Sequence, residues 1–350
     1  MLAAVLHGPR DVRLADRAEP RPGPGDVLLK VQRVGICGSD VNRFLYGSHP
    51  WPPGFIMGHE FCGEVVALGA GVRAARAGDQ VLVEPTLRCG ACFYCRRAEY
   101  NRCVDFVTRG LTGSGTDGGF AHYVSVPAYQ LHARPSALSQ SLAALVEPTA
   151  VSVHGWNLAG VEHPDSVVVV GIGNIGLLAI LVARTKGAGN IIAVGKYPAR
   201  QTLARAYGAT LVLEPDDARL HDQIRERTSG VGAALVLEAA GTPGSLRTAV
   251  ACARKGGRIV LLGVMHEPVA LDYKAILMEE KHILGSIIYR PPDFAEAIGI
   301  LSRSGIDAAH HVTAEIPLDR IVSDGHEPLA RSKADHIKIQ VRPHHEEGES

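Results

Sequence analysis

The sequence predicts two kinds of domain in one chain: an all-β domain at the amino end, followed by an α/β domain with a doubly wound parallel sheet. Before about residue 145, short alternating segments such as 26–34, 63–68 and 80–83 are separated by proline and glycine turns, a pattern typical of a small barrel or sandwich. After Ser166, strand-like and helical segments alternate. That alternation is typical of a parallel sheet with helices on both faces.

The α/β part also sets the predicted domain boundaries. Its predicted strands are 167–170, 191–194, 211–213, 234–237 and 258–262, and a helical stretch follows each of the first four. Past residue 288 the alternation stops, and a last strand at 337–341 is expected to fold back onto the first domain. The sequence therefore predicts an all-β domain over 1–147, the α/β domain over 148–288 and a return segment over 289–350.

The first α/β strand runs directly into a glycine-rich turn. In the spacing G-x-G-x-x-G, the first glycine permits a tight turn, the second lets the backbone approach a pyrophosphate, and the third lets helix and strand pack closely. The helix that follows presents unpaired N–H groups to that phosphate. A purely structural turn is the alternative, but the strand before and the helix after favour a dinucleotide site. Its predicted residues are Gly171, Gly173, Asn174, Ile175 and Gly176.

The end of the second α/β strand predicts which dinucleotide is bound. NAD-binding sites of this kind carry an acidic residue about 20 residues after the glycines, for the ribose 2′-hydroxyl. Here Gly195, Lys196 and Tyr197 stand there instead, and Arg200 follows one helical turn later. Room at the glycine and two cationic groups favour the 2′-phosphate of NADP. The alternative is that both cations are solvated and NAD is held by other residues.

Composition excludes several other functions. The formal net charge is +0 and the pI about 7.3, which argues against nucleic acid or an anionic membrane as a partner. No apolar run reaches the roughly 18 residues of a spanning helix, and no signal-peptide pattern begins the chain. We expect a cytoplasmic protein. In that compartment the seven cysteines point to metal binding before disulfides.

Four cysteines are crowded into one loop: Cys89, Cys92, Cys95 and Cys103. Their spacing closes around a tetrahedral metal, and four sulfurs leave no open position, so we predict a structural zinc. A pair of disulfides and an iron–sulfur cluster are the alternatives. The short spacings suit a chelate better than unstrained disulfide bridges.

A second candidate metal set is spread along the chain. Cys37, His59 and the carboxylates Glu60 and Glu147 form a mixed sulfur, nitrogen and oxygen set, as open catalytic zinc sites have. Spacing alone is weak support, because a lone buried cysteine or histidine is more often structural.

The motifs taken together resemble the zinc-containing medium-chain dehydrogenase/reductase family over nearly the whole chain. The resemblance is carried by Gly35-Ile-Cys37-Gly-Ser-Asp40, Gly58-His59-Glu60, the four-cysteine loop, Asp117-Gly-Gly-Phe120, Val146-Glu147-Pro148 and the glycine turn. It is strongest toward the polyol branch, with sorbitol, butanediol and threonine dehydrogenases. The resemblance implies a GroES-like catalytic domain formed by both chain ends, a Rossmann domain between them, and two zinc ions per chain.

Residue by residue, the resemblance implies that Cys37, His59 and either Glu60 or Glu147 hold the catalytic zinc. Asp40 then orients the ligand histidine, and Ser39 begins a proton relay. Many relatives extend that relay with a histidine where Asn42 stands. His49 is a candidate to compensate for it, although a histidine between Ser48 and Pro50 is more often a surface loop residue.

The resemblance also implies the chemistry and the assembly. In this family the metal lowers the pKa of the substrate alcohol, and hydride passes to the nicotinamide. We expect a secondary alcohol, diol or polyol as substrate, and a homodimer or homotetramer formed through residues 281–288. Two other interpretations are a non-catalytic cofactor-binding protein with a structural zinc and a zinc-ribbon nucleic-acid binder. The complete second ligand set argues against the first, and the neutral charge against the second.

Overall fold

The structure is a computed structural model that describes residues 1–47, 50–332 and 334–344. The chain divides into two compact units. The first comprises residues 1–147 together with the chain from 307 onwards, and the second comprises residues 148–306. His49, the candidate to compensate for the relay histidine that Asn42 replaces, lies outside the described residues.

The first unit is built mainly from short strands. Up to the junction, its strands and helices are β1 (Leu2–Gly8), β2 (Asp11–Asp16), β3 (Asp26–Gly35), α1 (Gly38–Tyr46), β4 (Phe55–Ile56), β5 (Glu60–Leu68), β6 (Gln80–Val83), α2 (Phe106–Arg109), β7 (Leu111–Thr112), β8 (Gly115–Thr116), β9 (Tyr123–Pro127), β10 (Leu131–Ala133) and α3 (Gln140–Ala143). Helix α4 (Val146–Ala159) begins at its end and continues into the second unit.

The second unit alternates strands and helices: β11 (Ser166–Val170), α5 (Asn174–Thr185), β12 (Asn190–Val194), α6 (Pro198–Tyr207), β13 (Leu211–Leu213), α7 (Leu220–Arg227), β14 (Ala233–Glu238), α8 (Pro243–Cys252), β15 (Ala253–Leu261), α9 (Tyr273–Met278), β16 (His282–Gly285) and α10 (Pro291–Arg303). The chain then re-enters the first unit through α11 (Ala308–His311), β17 (Val312–Pro317), a π-helical turn at Ile321–His326, α12 (Glu327–Arg331) and β18 (Lys338–Arg342).

The end of the chain is part of the main sheet of the first unit. Strand order there is β10-β6-β5-β3-β18-β17, and β9 also pairs with β3. Gly35 of β3 lies opposite Gln340 of β18 on one side and opposite Glu60 of β5 on the other. Residues more than 270 positions apart in sequence are therefore neighbours in one sheet, as the predicted return of the chain requires.

The second unit has a wholly parallel sheet in the order β13-β12-β11-β14-β15-β16. Its central strand β11 is a run of valines that is buried along its whole length, because helices cover both faces of such a sheet. The order reverses beside β11, which is where doubly wound sheets bind their ligands. The predicted fold class is confirmed.

The second unit continues to residue 306, beyond the expected boundary at 288. The physical reason is α10, whose buried Asp293 receives a hydrogen bond from Asn157 Nδ2 at 2.8 Å and contacts His154 Nδ1 at 2.7 Å. Both partners lie on α4. Sequence periodicity does not reveal such a polar contact between helices. No helix within the described ranges is long and apolar enough to cross a membrane.

Candidate metal and cofactor sites

The four loop cysteines come together between β6 and α2. All four thiols are free, and their sulfurs lie within 4.8 Å of one another. Cys89 and Cys95 are 3.8 Å apart, far beyond the roughly 2.05 Å of a disulfide. The backbone N–H of Cys95 donates to the Cys92 sulfur and lowers the pKa of that thiol to about 6. The four sulfur atoms fit a closed thiolate site for zinc.

A stacked arginine connects the base of this loop to the strand beside it. The Arg88 guanidinium lies 4.3 Å from the ring centre of Tyr100 and 4.1 Å from that of Tyr129. Tyr100 belongs to the cysteine loop, whereas Tyr129 lies in the turn just before β10. The loop is therefore attached to the sheet by a cation–π contact as well as by its backbone.

A second group of potential metal ligands lies where α1 and β5 of the first unit begin. Cys37 caps the amino end of α1, Glu60 is the first residue of β5, and His59 directly precedes it. One ligand atom from each lies within 4.8 Å of the other two. His59 and Glu60 are buried and Cys37 is half-buried. A soft sulfur, an imidazole and a carboxylate in this arrangement fit a catalytic zinc with an open position.

The Asp40 carboxylate contacts two members of this group, Cys37 and His59. One of its carboxylate oxygens accepts the Cys37 backbone N–H at 2.9 Å, and the other lies 3.6 Å from His59 Nδ1. Burial alone would lower the pKa of His59, but the charges of Asp40 and Cys37 outweigh it and raise that pKa. A carboxylate facing Nδ1 leaves the other ring nitrogen for a metal, the usual arrangement beside a ligand histidine.

The other predicted members lie near this group or outside it. Ser39 is half-buried in the first turn of α1, directly after Cys37 and Gly38. Glu147 is buried in the first turn of α4, but it is not a member of the cluster of Cys37, His59 and Glu60 found among the described residues. The geometry thus favours Glu60 over Glu147 as the carboxylate nearest the other two ligands.

The glycine turn after β11 has the geometry that dinucleotide binding needs. Gly171 has a φ of +96°, which favours glycine, and a Cβ on Gly176 would stand 1.8 Å from the Gly171 carbonyl oxygen. A Cβ on Gly173 would meet nothing within 4 Å. Helix α5 begins at Asn174, immediately followed by Ile175. The first and third glycines serve turn and packing, and the open space at the second suits a pyrophosphate.

The end of β12 differs in two respects from what the sequence suggested. A Cβ on Gly195 would stand 2.1 Å from the Ile172 side chain, so the absence of a side chain there makes room for the glycine turn rather than for a ligand. Lys196 Nζ lies 2.5 Å from an oxygen of Asp216, in an exposed ion pair. The lysine charge is therefore partly neutralised, although exposed pairs of this kind are weak.

The two remaining residues of this segment contact each other. Tyr197 has a φ of +77°, unusual for a non-glycine residue, and its ring centre lies 5.2 Å from the Arg200 guanidinium. Burial lowers the pKa of Arg200. The stacking fixes a guanidinium near the amino end of α6, close to the strand end where a ribose is expected.

Sequence reasoning missed three residues that shape these sites: Asp216, Lys338 and His326. Asp216 follows β13, whose end lies beside the end of β12, so the order of parallel strands was a usable signal. Lys338 lies on β18 and is 2% exposed, and no local pattern marks a buried lysine. His326 is fully buried and stacks on Phe44 of α1 at 5.1 Å.

Comparison with known proteins identifies the family to which the chain belongs. Residues 23–136 match the family model described as the alcohol dehydrogenase GroES-like domain, and residues 174–303 match the model described as zinc-binding dehydrogenase. The chain is 31% identical to a sorbitol dehydrogenase of Bacillus subtilis, covering 98% of this chain and 97% of that protein. It is 35% identical to the (R,R)-butanediol dehydrogenase of the same organism, covering 98% and 100%.

A solved structure is similar over the same length. The crystal structure of 2R,3R-butanediol dehydrogenase from Bacillus subtilis has a TM-score of 0.88 to this chain, with 33% sequence identity. It covers 98% of this chain and 99% of that one. The similarity therefore extends over both units.

Proposed function

The chain belongs to the zinc-containing medium-chain dehydrogenase/reductase family, and on that premise we propose that it transfers hydride between NAD(P) and a secondary alcohol, diol or polyol, or the matching ketone. The observation that carries the proposal is the convergence of Cys37, His59 and Glu60, the last two of them buried. A non-catalytic cofactor-binding protein would have no need for such a set beside the four-cysteine loop.

The metal ligands we propose are Cys37, His59 and one carboxylate, Glu60 or Glu147, at the catalytic centre. The four loop cysteines hold a second, structural zinc. A zinc at the catalytic centre supplies a Lewis acid that lowers the pKa of a substrate hydroxyl, and NAD(P) supplies the hydride acceptor.

The residues of α1 then handle orientation and the proton. Asp40 fixes the ring of His59 and, through the Cys37 backbone N–H, the start of the helix. Ser39 receives the hydroxyl proton at its Oγ and passes it outward. Its half-buried position beside Cys37 supports this role.

The test is a substrate panel combined with metal analysis. We expect two zinc ions per purified chain and nicotinamide-linked oxidation of at least one secondary alcohol, diol or polyol. Ser39→Ala should lower kcat by about 10²–10⁴-fold, the usual contribution of a proton-transfer group, while zinc content stays at two. A protein that holds both zinc ions yet oxidises none of the panel, and reduces none of the matching ketones, would favour the non-catalytic alternative.

For the cofactor, we propose NADP in preference to NAD. Support comes from the absence of an acidic residue among Gly195, Lys196 and Tyr197, and from the Arg200 guanidinium stacked beside them. The pair between Lys196 and Asp216 has to open before the lysine can bind a 2′-phosphate. We therefore assign the larger share of phosphate binding to Arg200.

The cofactor test compares both nucleotides in the wild type and in three variants. Arg200→Ala should weaken NADP binding by about 10- to 100-fold, since a charge-assisted hydrogen bond contributes ~1.5–3 kcal/mol. Lys196→Ala should weaken it less, and Asp216→Asn should strengthen it because the lysine is released. Gly195→Asp is unsuitable, since its side chain would collide with Ile172. A wild type with higher kcat/KM for NAD than for NADP would contradict the proposal.

For assembly, we propose a homodimer or homotetramer that pairs through β16. This strand is an edge of the parallel sheet, and Ile287 just after it is 49% exposed. Exposed apolar side chains of α9, such as Leu277 and Met278, lie on the segment before it. An uncovered edge of this composition would otherwise promote aggregation. Light scattering at micromolar concentration should give at least twice the 37.2 kDa chain mass. A monomer would rule this assembly out.

We propose the cytoplasm as the location. Seven free cysteines, four of them grouped for a metal, suit a reducing compartment. Fractionation of the native host would test this, and recovery from an oxidising compartment would contradict it.

A further inference from the structure

Lys338 is a buried cation that touches the candidate metal site from the far end of the chain. Its side chain is 2% exposed. The ammonium group donates a hydrogen bond to the Ile36 carbonyl oxygen at 3.0 Å and contacts the Glu60 carboxylate directly. Buried lysines are rare unless they are paired, so this contact gives Glu60 a strong alternative partner to a metal.

Three adjacent strands produce this contact. Glu60 stands on β5 and Lys338 on β18, with β3 between them. Gly35 is the β3 residue at the crossing point, where an added Cβ would stand 2.2 Å from Glu60 Oε2 and 2.9 Å from Lys338 Cε. The missing side chain at Gly35 is what allows a residue of β18 to reach a residue of β5 across the strand between them.

The same ammonium group contacts one of the three candidate ligands, Glu60, and the residue before another, Cys37. Ile36, whose carbonyl it binds, immediately precedes Cys37, and Glu60 immediately follows His59. Glu60 also has a ligand atom within 4.8 Å of those of Cys37 and His59. A buried carboxylate needs an opposite charge, and this one has two available to it, the lysine and a metal.

We propose that Lys338 is a positioning residue that competes with the catalytic zinc for Glu60. By holding the carboxylate, it weakens the bond between Glu60 and the metal and keeps one coordination position exchangeable for substrate. The inference rests on the proposed function, because it requires a zinc at Cys37 and His59. It adds a residue from the last strand to a site otherwise formed by the first half of the chain.

The test measures metal retention as well as turnover. In Lys338→Met the carboxylate loses its competing partner, so the catalytic zinc should leave to a chelator about tenfold more slowly, as expected for one charge-assisted contact. Turnover should fall through kcat more than KM. In the cobalt-substituted enzyme, the visible absorption should change toward a higher coordination number. Lys338→Arg keeps the charge and should release the metal at nearly the wild-type rate.

A double variant separates this role from simple packing. Adding Glu60→Gln to Lys338→Met should remove the slow release, because the carboxylate that Lys338 would otherwise hold is no longer present. Lys338→Gln, which is neutral but can still reach the Ile36 carbonyl, should show the same change to a smaller degree. If Lys338→Met folds poorly, Lys338→Gln replaces it in the metal-release measurement.

Several outcomes overturn the inference. Metal release from Lys338→Met at the wild-type rate or faster, with an unchanged cobalt spectrum, would show that the lysine does not compete for Glu60. If neither neutral variant folds even with Glu60→Gln present, Lys338 has a structural role only. If the Cys37→Ala variant holds as much zinc as the wild type, that result would instead contradict the proposed function itself.

Discussion

The two candidate metal groups of this chain are encoded in different ways. The four-cysteine group lies within the single loop from Cys89 to Cys103. The group of Cys37, His59 and Glu60 takes its residues from α1 and β5, its orienting carboxylate from Asp40, and its competing cation from β18. One group needs only the loop to close, whereas the other needs a whole sheet to assemble.

The two groups differ because their residues are separated by different lengths of chain. Short spacings bring the four sulfurs together at low entropic cost, since few residues separate them. In the second group, Glu60 of β5 contacts Lys338 of β18 across β3, so this contact forms only when both ends of the chain are folded together. A closed thiolate site of this kind contributes folding energy locally, while the open site depends on the fold for its geometry.

The largest expected effect separates the two groups by activity. Cys37→Ala should lower kcat/KM by roughly a thousandfold or more, because Lewis-acid catalysis contributes several kcal/mol. It should leave the thermal unfolding midpoint nearly unchanged. Cys95→Ser should release one zinc and lower that midpoint, since it removes a ligand of the closed site. The measurements are steady-state kinetics, metal content and calorimetry on the two variants. Equal loss of folding in both would contradict the division of roles.

The second prediction tests whether the open site depends on the sheet. Gly35→Ala places a methyl group against Glu60 and Lys338, and overpacking of this kind costs about 1–3 kcal/mol. It should also lower zinc content at the catalytic site but not at the cysteine loop. Gly38→Ala is the matched control, because an added Cβ there meets nothing within 4 Å. Chemical unfolding and metal analysis give the comparison, and a stable Gly35→Ala with two zinc ions would show that the crossing at β3 is not needed.

These contrasts explain what the sequence could and could not predict. The cysteine loop, the glycine turn and the alternation of strands and helices are local patterns, and the fold class they predicted is confirmed. Cys37, His59 and Glu60 were identified through family resemblance, because their spacing alone is weak. Lys338 and Asp216 were missed since each acts through a neighbouring strand. The choice between Glu60 and Glu147 stays open in sequence, and their roles remain predictions.

The third prediction concerns acid. His326 is fully buried between Phe44 and Phe120, and burial lowers its pKa to about 4. The unfolded chain takes up a proton near pH 6.5, which the folded protein does not, so stability falls as the pH drops from about 6.5 to 4. At pH 5.5 this loss of stability is on the order of 1 kcal/mol relative to pH 8.

His326→Phe should remove that part of the pH dependence, because the aromatic stack on Phe44 is kept and no ring nitrogen remains to titrate. Unfolding free energies at pH 8 and pH 5.5 measure the effect, with His310→Phe on the exposed α11 as control. Phe44 lies on α1, so acid should weaken the open metal site before the cysteine loop. An identical pH dependence in wild type and His326→Phe would show that another group is responsible.

The smallest expected effect tests how self-contained the cysteine loop is. Arg88 lies between Tyr100 of the loop and Tyr129 beside β10, and removing a cation–π contact at such a position costs about 0.5–1 kcal/mol. Arg88→Ala should therefore speed loss of the structural zinc to a chelator by about two- to fivefold, with activity unchanged. Arg97→Ala is the matched control, since Arg97 stacks at 3.8 Å on Phe93, an exposed residue of the same loop. If Arg88→Ala matches that control, the loop holds its metal without help from the sheet. Faster loss in Arg88→Ala alone would mean that even the locally encoded site draws part of its stability from the surrounding fold.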